Sequence, residues 1–265
     1  MTKKLTLAYS TCPNDTFIFY ALAHGLIDCD IMFDVQLMDI DQLNHHAASG
    51  DYDITKLSFA AFDHVRNKYE LLNVGAALGR GCGPLIVSKE SVDYQSSLSS
   101  TFAIPGQWTT ANLLLRLYLN KAVKTVTMPF DQIMPSIQKG EVDAGVIIHE
   151  GRFIYPKYGL KCQVDLGEWW EKKTSLPIPL GGIAIRKDCL LYAEKVEFAI
   201  RESIQFAFKN RTEPMQYIRT YAHEMEDDVI QNHIQLYVND YSLSLGEDGQ
   251  QAINQLFKQA QSARI

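Results

Sequence analysis

The chain has 265 residues, 46% of them hydrophobic and 21% charged, with a formal charge of −6. That is ordinary globular composition with length enough for a full core, and Lys and Arg form no runs, so a nucleic-acid surface is not expected. No stretch approaches ~18 uninterrupted apolar residues, so neither is a membrane span.

The N-terminus, "MTKKLTLAYS", goes directly into strand alternation with no apolar leader core, so no signal peptide is expected and the chain reads as cytoplasmic. "NDTFIFYALAHG" follows as a helix capped by Asn14 or Asp15 and stopped near Gly25. "MFDVQLMDI" alternates like a strand. "DQLNHHAASG" is a short helix with Asp41 as its cap and Gly50 as its stop. "YDITKLS" is a strand, and "SFAAFDHVRNKY" a helix opening at Ser58. "LLNVGAAL" and "PLIVSKE" are two further strands. The middle repeats the scheme with strand "TFAIPG", helix "TTANLLLRLYLN", strand "VKTVTMP", helix "FDQIMPSIQKG" and strand "VDAGVIIHE". From Asp188 onward the pattern is mostly helical. Such alternation predicts an α/β fold with parallel sheets built from βαβ units.

One internal echo bears on the architecture. "ASGDYDITKLSF" and "QKGEVDAGVIIHE" share a helix end, a glycine, two residues, an aspartate and a strand, with Gly50 and Asp53 in one and Gly140 and Asp143 in the other. The βα order around them also matches, which predicts two similar α/β lobes. "PLIVSKE" and "GGIAIRKD" are paired as crossovers, near Ser88–Glu90 and Ala184–Lys187. The expected division is residues 1–88 plus 187–265 for the large lobe and 89–186 for a smaller inserted one. Two crossovers between two lobes make a cleft, and ligands of open α/β sheets bind beyond the carboxyl ends of strands.

The strand ends therefore supply the candidates. "STCPND" leads into the first helix. Lys56, in "TKLSF", reads either as a solvated edge lysine or as a cleft residue. Ser58 reads either as a helix cap or as part of an anion site. In "IPGQWTTANLL" two threonines, Thr109 and Thr110, stand where a helix begins. With the free N–H groups there they suit a carboxylate or phosphate without an arginine, while Trp108 reads as a lid or packing residue. "GRGCGPL" carries three glycines in five residues but is neither a Walker loop nor a dinucleotide fingerprint. Arg80 is the fixed positive charge beside it.

His149 follows an apolar strand and precedes Glu150-Gly151, a chain reversal. It reads either as a strand-closing histidine or as a proton acceptor at the sheet's carboxyl edge. His45 and His46 cannot both face one metal, and His149-Glu150 does not open an H-E-x-x-H motif, so no metal is expected. Cys12, near a helix N-terminus, is a weaker nucleophile candidate with no histidine adjacent in sequence. The five scattered cysteines contain no C-x-x-C pair and suggest free thiols.

These stretches, together with "IHEGRF" and "YVNDYSLSLGEDG", run in order from Ser10 to Gly249. As a set they resemble the 1,4-dihydroxy-6-naphthoate synthase family of the futalosine route of menaquinone biosynthesis. The resemblance implies a two-lobed type II periplasmic-binding-protein-like fold used as a cytoplasmic enzyme without a cofactor. It implies a lyase that acts on cyclic dehypoxanthinylfutalosine, a small-molecule carboxylate, and releases the dihydroxynaphthoate and a three-carbon sugar remnant. It also implies His149 as proton acceptor, with Lys56, Leu57, Ser58, Thr109 and Thr110 at the substrate. The alternatives are chorismate dehydratase of the same pathway and a non-catalytic solute-binding protein of the same fold.

Overall fold

Period-two burial sets the first strand: Leu5, Leu7 and Tyr9 are each at most 1% exposed. The structure, a computed structural model, describes residues 3–91, 100–222 and 226–262. Its first run of elements is β1 (Lys3–Ser10), α1 (Pro13–Ala23), β2 (Ile31–Met38), α2 (Ile40–Ser49), β3 (Ile54–Ser58), α3 (Phe59–Val65), β4 (Tyr69–Leu71) and β5 (Ala77–Gly79). A second run holds β6 (Leu85–Ser88), β7 (Thr101–Ile104), α4 (Thr110–Leu119), β8 (Lys124–Thr127), α5 (Phe130–Lys139), β9 (Ala144–Ile147), α6 (Gly151–Ile154), β10 (Lys161–Asp165) and α7 (Leu166–Thr174). The chain closes with β11 (Ile178–Arg186), α8 (Ala193–Lys209), α9 (Met215–Tyr221), α10 (Asp227–Tyr237), α11 (Asp240–Leu243) and α12 (Gly246–Ser262). No described helix is long and apolar enough to cross a membrane.

The strands form two sheets. One runs β2-β1-β3-β11-β4, with β5 also on β11; the other runs β10-β6-β9-β7-β8. Each contains a parallel trio, β2-β1-β3 and β8-β7-β9, made by consecutive βαβ units. Antiparallel strands complete each sheet: β11 and its neighbours in the first, β6 and β10 in the second.

The sequence echo is a structural repeat. Gly50 and Gly140 end α2 and α5 in the left-handed conformation, at φ 82° and 76°. Three residues on, Asp53 accepts a hydrogen bond from the Thr6 amide at 2.8 Å, and Asp143 one from the Thr101 amide at 2.7 Å. Each aspartate thus fastens the entry to the third strand of its trio to the first strand.

The passages between sheets lie elsewhere than the sequence reading places them. The chain leaves the first sheet after Gly79 and joins the second at Leu85; it returns between Thr174 and Ile178. β6 lies wholly in the second sheet and β11 wholly in the first. A short apolar run announces a buried strand but not its partner, and pairing with β9 and β3 decided the matter. The strand β10 and helix α7, unread in the sequence, complete the second sheet's edge. Three helix starts also differ from expectation. The N-cap position of α1 is Cys12, with Pro13 in the first turn, so neither Asn14 nor Asp15 caps it. Asp39, not Asp41, caps α2 through a capping box with Gln42. Ser58 holds the cap position of α3 without a side-chain cap bond. Pro135 lies inside α5, which continues through it.

The glycine-rich stretch forms the first passage. Gly83 has φ +151°, and a Cβ there would meet the backbone of Gly167 at 2.8 Å, so α7 and this loop meet glycine to glycine. Arg80 lies in the same passage, where its guanidinium donates to the Ser175 carbonyl at 2.9 Å and faces Glu171. The "YVNDYS" stretch ties the last helices to the first sheet: Asn239 caps α11 and donates to the Leu78 carbonyl at 3.0 Å.

Gly83→Ala is expected to destabilise the fold by about 1–3 kcal/mol, from a strained φ and a blocked backbone contact. A thermal melt should show a midpoint several degrees lower; an unchanged midpoint would mean the loop yields freely.

Candidate functional site

The cleft lies where the parallel strands of both sheets end. It is a concave pocket lined from both lobes, with a few polar side chains converging on it. Ser10 and Asn14 border it from the end of β1 and the start of α1, and Lys56 and Ser58 from β3. Thr109, Thr110 and His149 come from the second sheet's side, and His233 and Tyr237 from α10.

Beneath it is a buried ion pair. Lys56 Nζ lies 2.8 Å from Asp15 Oδ1, with side chains 5% and 1% exposed. The same ammonium donates to the Gly75 carbonyl at 3.2 Å. Ser10 donates its hydroxyl to Asp15 Oδ2 at 2.6 Å, and Asn14 donates Nδ2 to Asp15 Oδ1 at 2.9 Å. Asp15 thus anchors the buried network, and Lys56 is no edge lysine. The bond to Asp15 orients the Asn14 amide, whose Oδ1 faces His233 Nε2 at 2.9 Å. His233 therefore donates from Nε2, and burial, followed by the nearby His149, holds its pKa well below the usual histidine range. The sequence reading missed His233. It lies in the middle of a helix with no motif around it, and only tertiary folding brings it to Asn14.

His149 stands two residues past β9, with φ at +56°. The strand ends at Ile147, so His149 belongs to the turn and not to the strand. A non-glycine residue in this region carries strain of about 1–3 kcal/mol, and such residues gather at active sites. Its ring meets Phe130 edge-on at 4.8 Å between centroids, and His233 face-on at 6.3 Å. Cys12 Sγ is 3.1 Å from Nδ1. The histidine absent from the neighbourhood of Cys12 in sequence is thus supplied from the other lobe. Burial, then the Glu150 carboxylate, pushes the Cys12 thiol well above its usual pKa, so it is a neutral thiol and not an activated nucleophile. Glu150 is buried and lines a neighbouring cavity against α5. Arg152 of the same motif donates to the Gly83 carbonyl at 3.0 Å and pairs with Asp165, which fixes the turn to the glycine loop.

The remaining candidates divide. Ser58 Oγ accepts from Asn44 Nδ2 at 3.1 Å, and the Ser58 amide donates to Asn44 Oδ1 at 2.9 Å. Leu57 points to the opposite face of β3, where it is fully buried in the core. Thr109 caps α4: its hydroxyl donates to the Gly106 carbonyl at 2.7 Å and accepts from the Asn112 amide at 3.3 Å. The Thr110 hydroxyl donates to the Leu180 carbonyl at 2.6 Å and accepts from the Ala60 amide at 3.2 Å, so it bridges the two lobes. Both threonines line the cleft, but both hydroxyls have protein partners. Trp108 reaches across to stack between His45 and His64, at 5.1 and 5.2 Å between centroids, which sets it in the seam between lobes. Arg80 stays in the passage, outside the cleft. Among the described residues no group of three His, Cys, Asp or Glu side chains is placed to hold a metal ion.

Comparison with known proteins adds the following. The family model described as "Menaquinone biosynthesis" matches residues 5–262. The chain is 45% identical to a 1,4-dihydroxy-6-naphtoate synthase of Thermus thermophilus, over 97% of this chain and 94% of that one. It is 43% identical to the enzyme so named from Streptomyces coelicolor, over 97% and 92%. Among solved structures, a protein from Archaeoglobus fulgidus superimposes with a TM-score of 0.92 at 37% identity, covering 98% of this chain and 97% of that one. The periplasmic aliphatic sulphonate binding protein of Escherichia coli gives 0.65 at 12% identity, over 97% and 88%. That likeness carries the fold alone: the two-lobed architecture is that of periplasmic binding proteins.

Two outcomes test the buried network. Lys56→Met leaves the Asp15 carboxylate buried without its cation, and unfolding should show a loss of about 3–5 kcal/mol; a loss under about 1 kcal/mol would mean that Ser10 and Asn14 alone satisfy Asp15. His233 concerns pH. Unfolded, a histidine titrates near 6.5; folded, His233 stays neutral to lower pH. The unfolded chain binds more protons in that window, so this stability is lost as pH falls below about 6.5. The melting midpoint should fall less between about pH 7 and pH 5 in His233→Gln than in the parent, and equal falls would assign the acid sensitivity to other groups.

Proposed function

This chain belongs to the menaquinone biosynthesis family, and we propose that within it the protein carries out the 1,4-dihydroxy-6-naphthoate synthase reaction in the cytoplasm. The reading rests on one observation above all: near-full-length identity above 40% to two relatives of that name. The reaction is a carbon–carbon lyase step on cyclic dehypoxanthinylfutalosine, yielding the dihydroxynaphthoate and a three-carbon sugar remnant. Breaking a carbon–carbon bond beside a hydroxyl requires loss of that hydroxyl's proton while a neighbouring carbonyl or ring takes the electron pair. Aromatisation of the naphthalene makes the step downhill.

In this reading His149 is the base. The left-handed turn presents its ring to the cleft, and Phe130 and the neutral Cys12 thiol hold it from two sides. The substrate carboxylate is received at the N-terminus of α4. First-turn amides there, those of Thr110 and Ala111, have no acceptor within the helix, and the helix dipole favours an anion. The threonine hydroxyls do not contact it directly: Thr109 shapes the helix start and Thr110 holds the lobes together over it. Lys56 spends two of its three N–H donors on Asp15 and Gly75, which leaves one for substrate. Ser58, its oxygen already accepting from Asn44, has its own hydroxyl hydrogen to give.

Purified protein incubated separately with cyclic dehypoxanthinylfutalosine and with chorismate, and followed by mass spectrometry, tests the reading. The expected product is the dihydroxynaphthoate from the first alone. Dehydration of chorismate, or no turnover of either, would overturn it. His149→Asn keeps a polar side chain of similar size but accepts no proton at neutral pH. Turnover should drop by about 10²-fold or more with melting midpoint and substrate binding retained, and the ascending limb of the pH profile should vanish. A stable, fully active Asn variant would remove His149 from the mechanism.

A further inference from the structure

The cleft holds a second imidazole, and its hydrogen bonding is half complete. His233 is 1% exposed and lines the cleft beside His149. Its Nε2 donates to Asn14 Oδ1, an orientation locked by the chain from Lys56 through Asp15 to Asn14. Its Nδ1 is buried and has no hydrogen-bond partner among the described residues. With the proton fixed on Nε2, Nδ1 carries a lone pair and can only accept. A buried acceptor left bare is costly, and one beside a ligand cleft calls for an explanation.

We propose that His233 is a substrate-contacting residue whose Nδ1 accepts a hydrogen bond from a hydroxyl of the sugar-derived part of the substrate, and so sets the orientation in which His149 meets its proton. The proposal rests on the function given above, which supplies a substrate with such hydroxyls. The two rings, 22° from parallel with centroids 6.3 Å apart, are too close to sandwich a flat ring between them. They can instead engage neighbouring hydroxyls of one molecule from the same wall. Their roles differ because their surroundings differ. The groups around His233 are His149, Asn14 with Asp15 behind it, and the Tyr237 ring at 4.6 Å. None of these brings an unpaired carboxylate to Nδ1 that would favour a charged imidazole. Burial disfavours the charge as well, so His233 takes a hydrogen bond where His149 takes a proton.

Two substitutions separate this role from a purely structural one. In His233→Gln the amide nitrogen reaches the position of Nε2 and keeps the bond to Asn14, while the Nδ1 acceptor is lost. In His233→Asn the short amide keeps an acceptor near Nδ1 and loses the bond to Asn14. The expected result is that Gln lowers kcat/KM about 10- to 100-fold, mainly through KM, with its melting midpoint near the parent's at pH 7 and the ascending limb of the pH profile intact. Asn should keep KM within about threefold of the parent and melt lower. A Gln variant with parental KM and kcat, or activity that simply follows the melting midpoint in both variants, overturns the proposal. Loss of the ascending limb in the Gln variant would make His233 the base and overturns it too. A parent that yields no dihydroxynaphthoate overturns the proposed function, and this inference with it; an active parent confines any failure to His233.

Discussion

A lysine ammonium sealed under a ligand cleft needs an anion, and Lys56 has Asp15. Taking both charges out of water costs several kcal/mol per ion, recovered only when geometry and further hydrogen bonds are good. Here they are: Ser10 and Asn14 satisfy the carboxylate, and the Gly75 carbonyl accepts a hydrogen bond from a second ammonium N–H. The pair joins α1 to β3, so the two strand ends that floor the cleft cannot shift independently. It also determines chemistry at a distance. Because Asp15 orients Asn14, and Asn14 orients His233, one charge pair decides which nitrogen of a remote imidazole carries a proton.

The two trios of parallel strands make the cleft nearly symmetric in backbone and asymmetric in charge. Helices α1 and α4 begin at corresponding strand ends, each with its N-terminus at the cleft. In α1 the third helical residue is Asp15, so the protein's own carboxylate occupies that positive end, balanced by Lys56. In α4 the third residue is Asn112, a neutral side chain. The anion-attracting end left open is thus the one in the second lobe. The repeat supplies two similar walls, and the choice of one side chain in each assigns them different work.

Contacts between the lobes are of the same economy. Thr110 bridges β11 and α3, Cys12 meets His149, and Trp108 lies between His45 and His64. In the sequence Thr110 stood out as a ligand group, Cys12 as a nucleophile candidate and Trp108 as a lid or packing residue. None of these pairings is within reach of local pattern, since the partners are tens of residues apart and belong to different sheets.

What the sequence determined by itself was the local and the repeated. Alternating βα patterns announced the parallel trios, because burial on one face imposes a period that can be read from residue types. The Gly–x–x–Asp echo announced the duplication, since a left-handed helix stop and a strand-fastening aspartate need those residue types wherever they occur. His149 was legible because an apolar strand ran up to a histidine, an acid and a glycine. Tertiary structure alone decided which sheet received β6 and β11, that Leu57 turned to the core while Lys56 and Ser58 faced the cleft, and that Asp15 served an ion pair and not a cap. It alone brought His233 from α10 to Asn14. The physical reason is common to all of these: periodicity encodes which face of an element is buried, but the partner that buries it is chosen by packing and charge pairing among elements far apart in the chain.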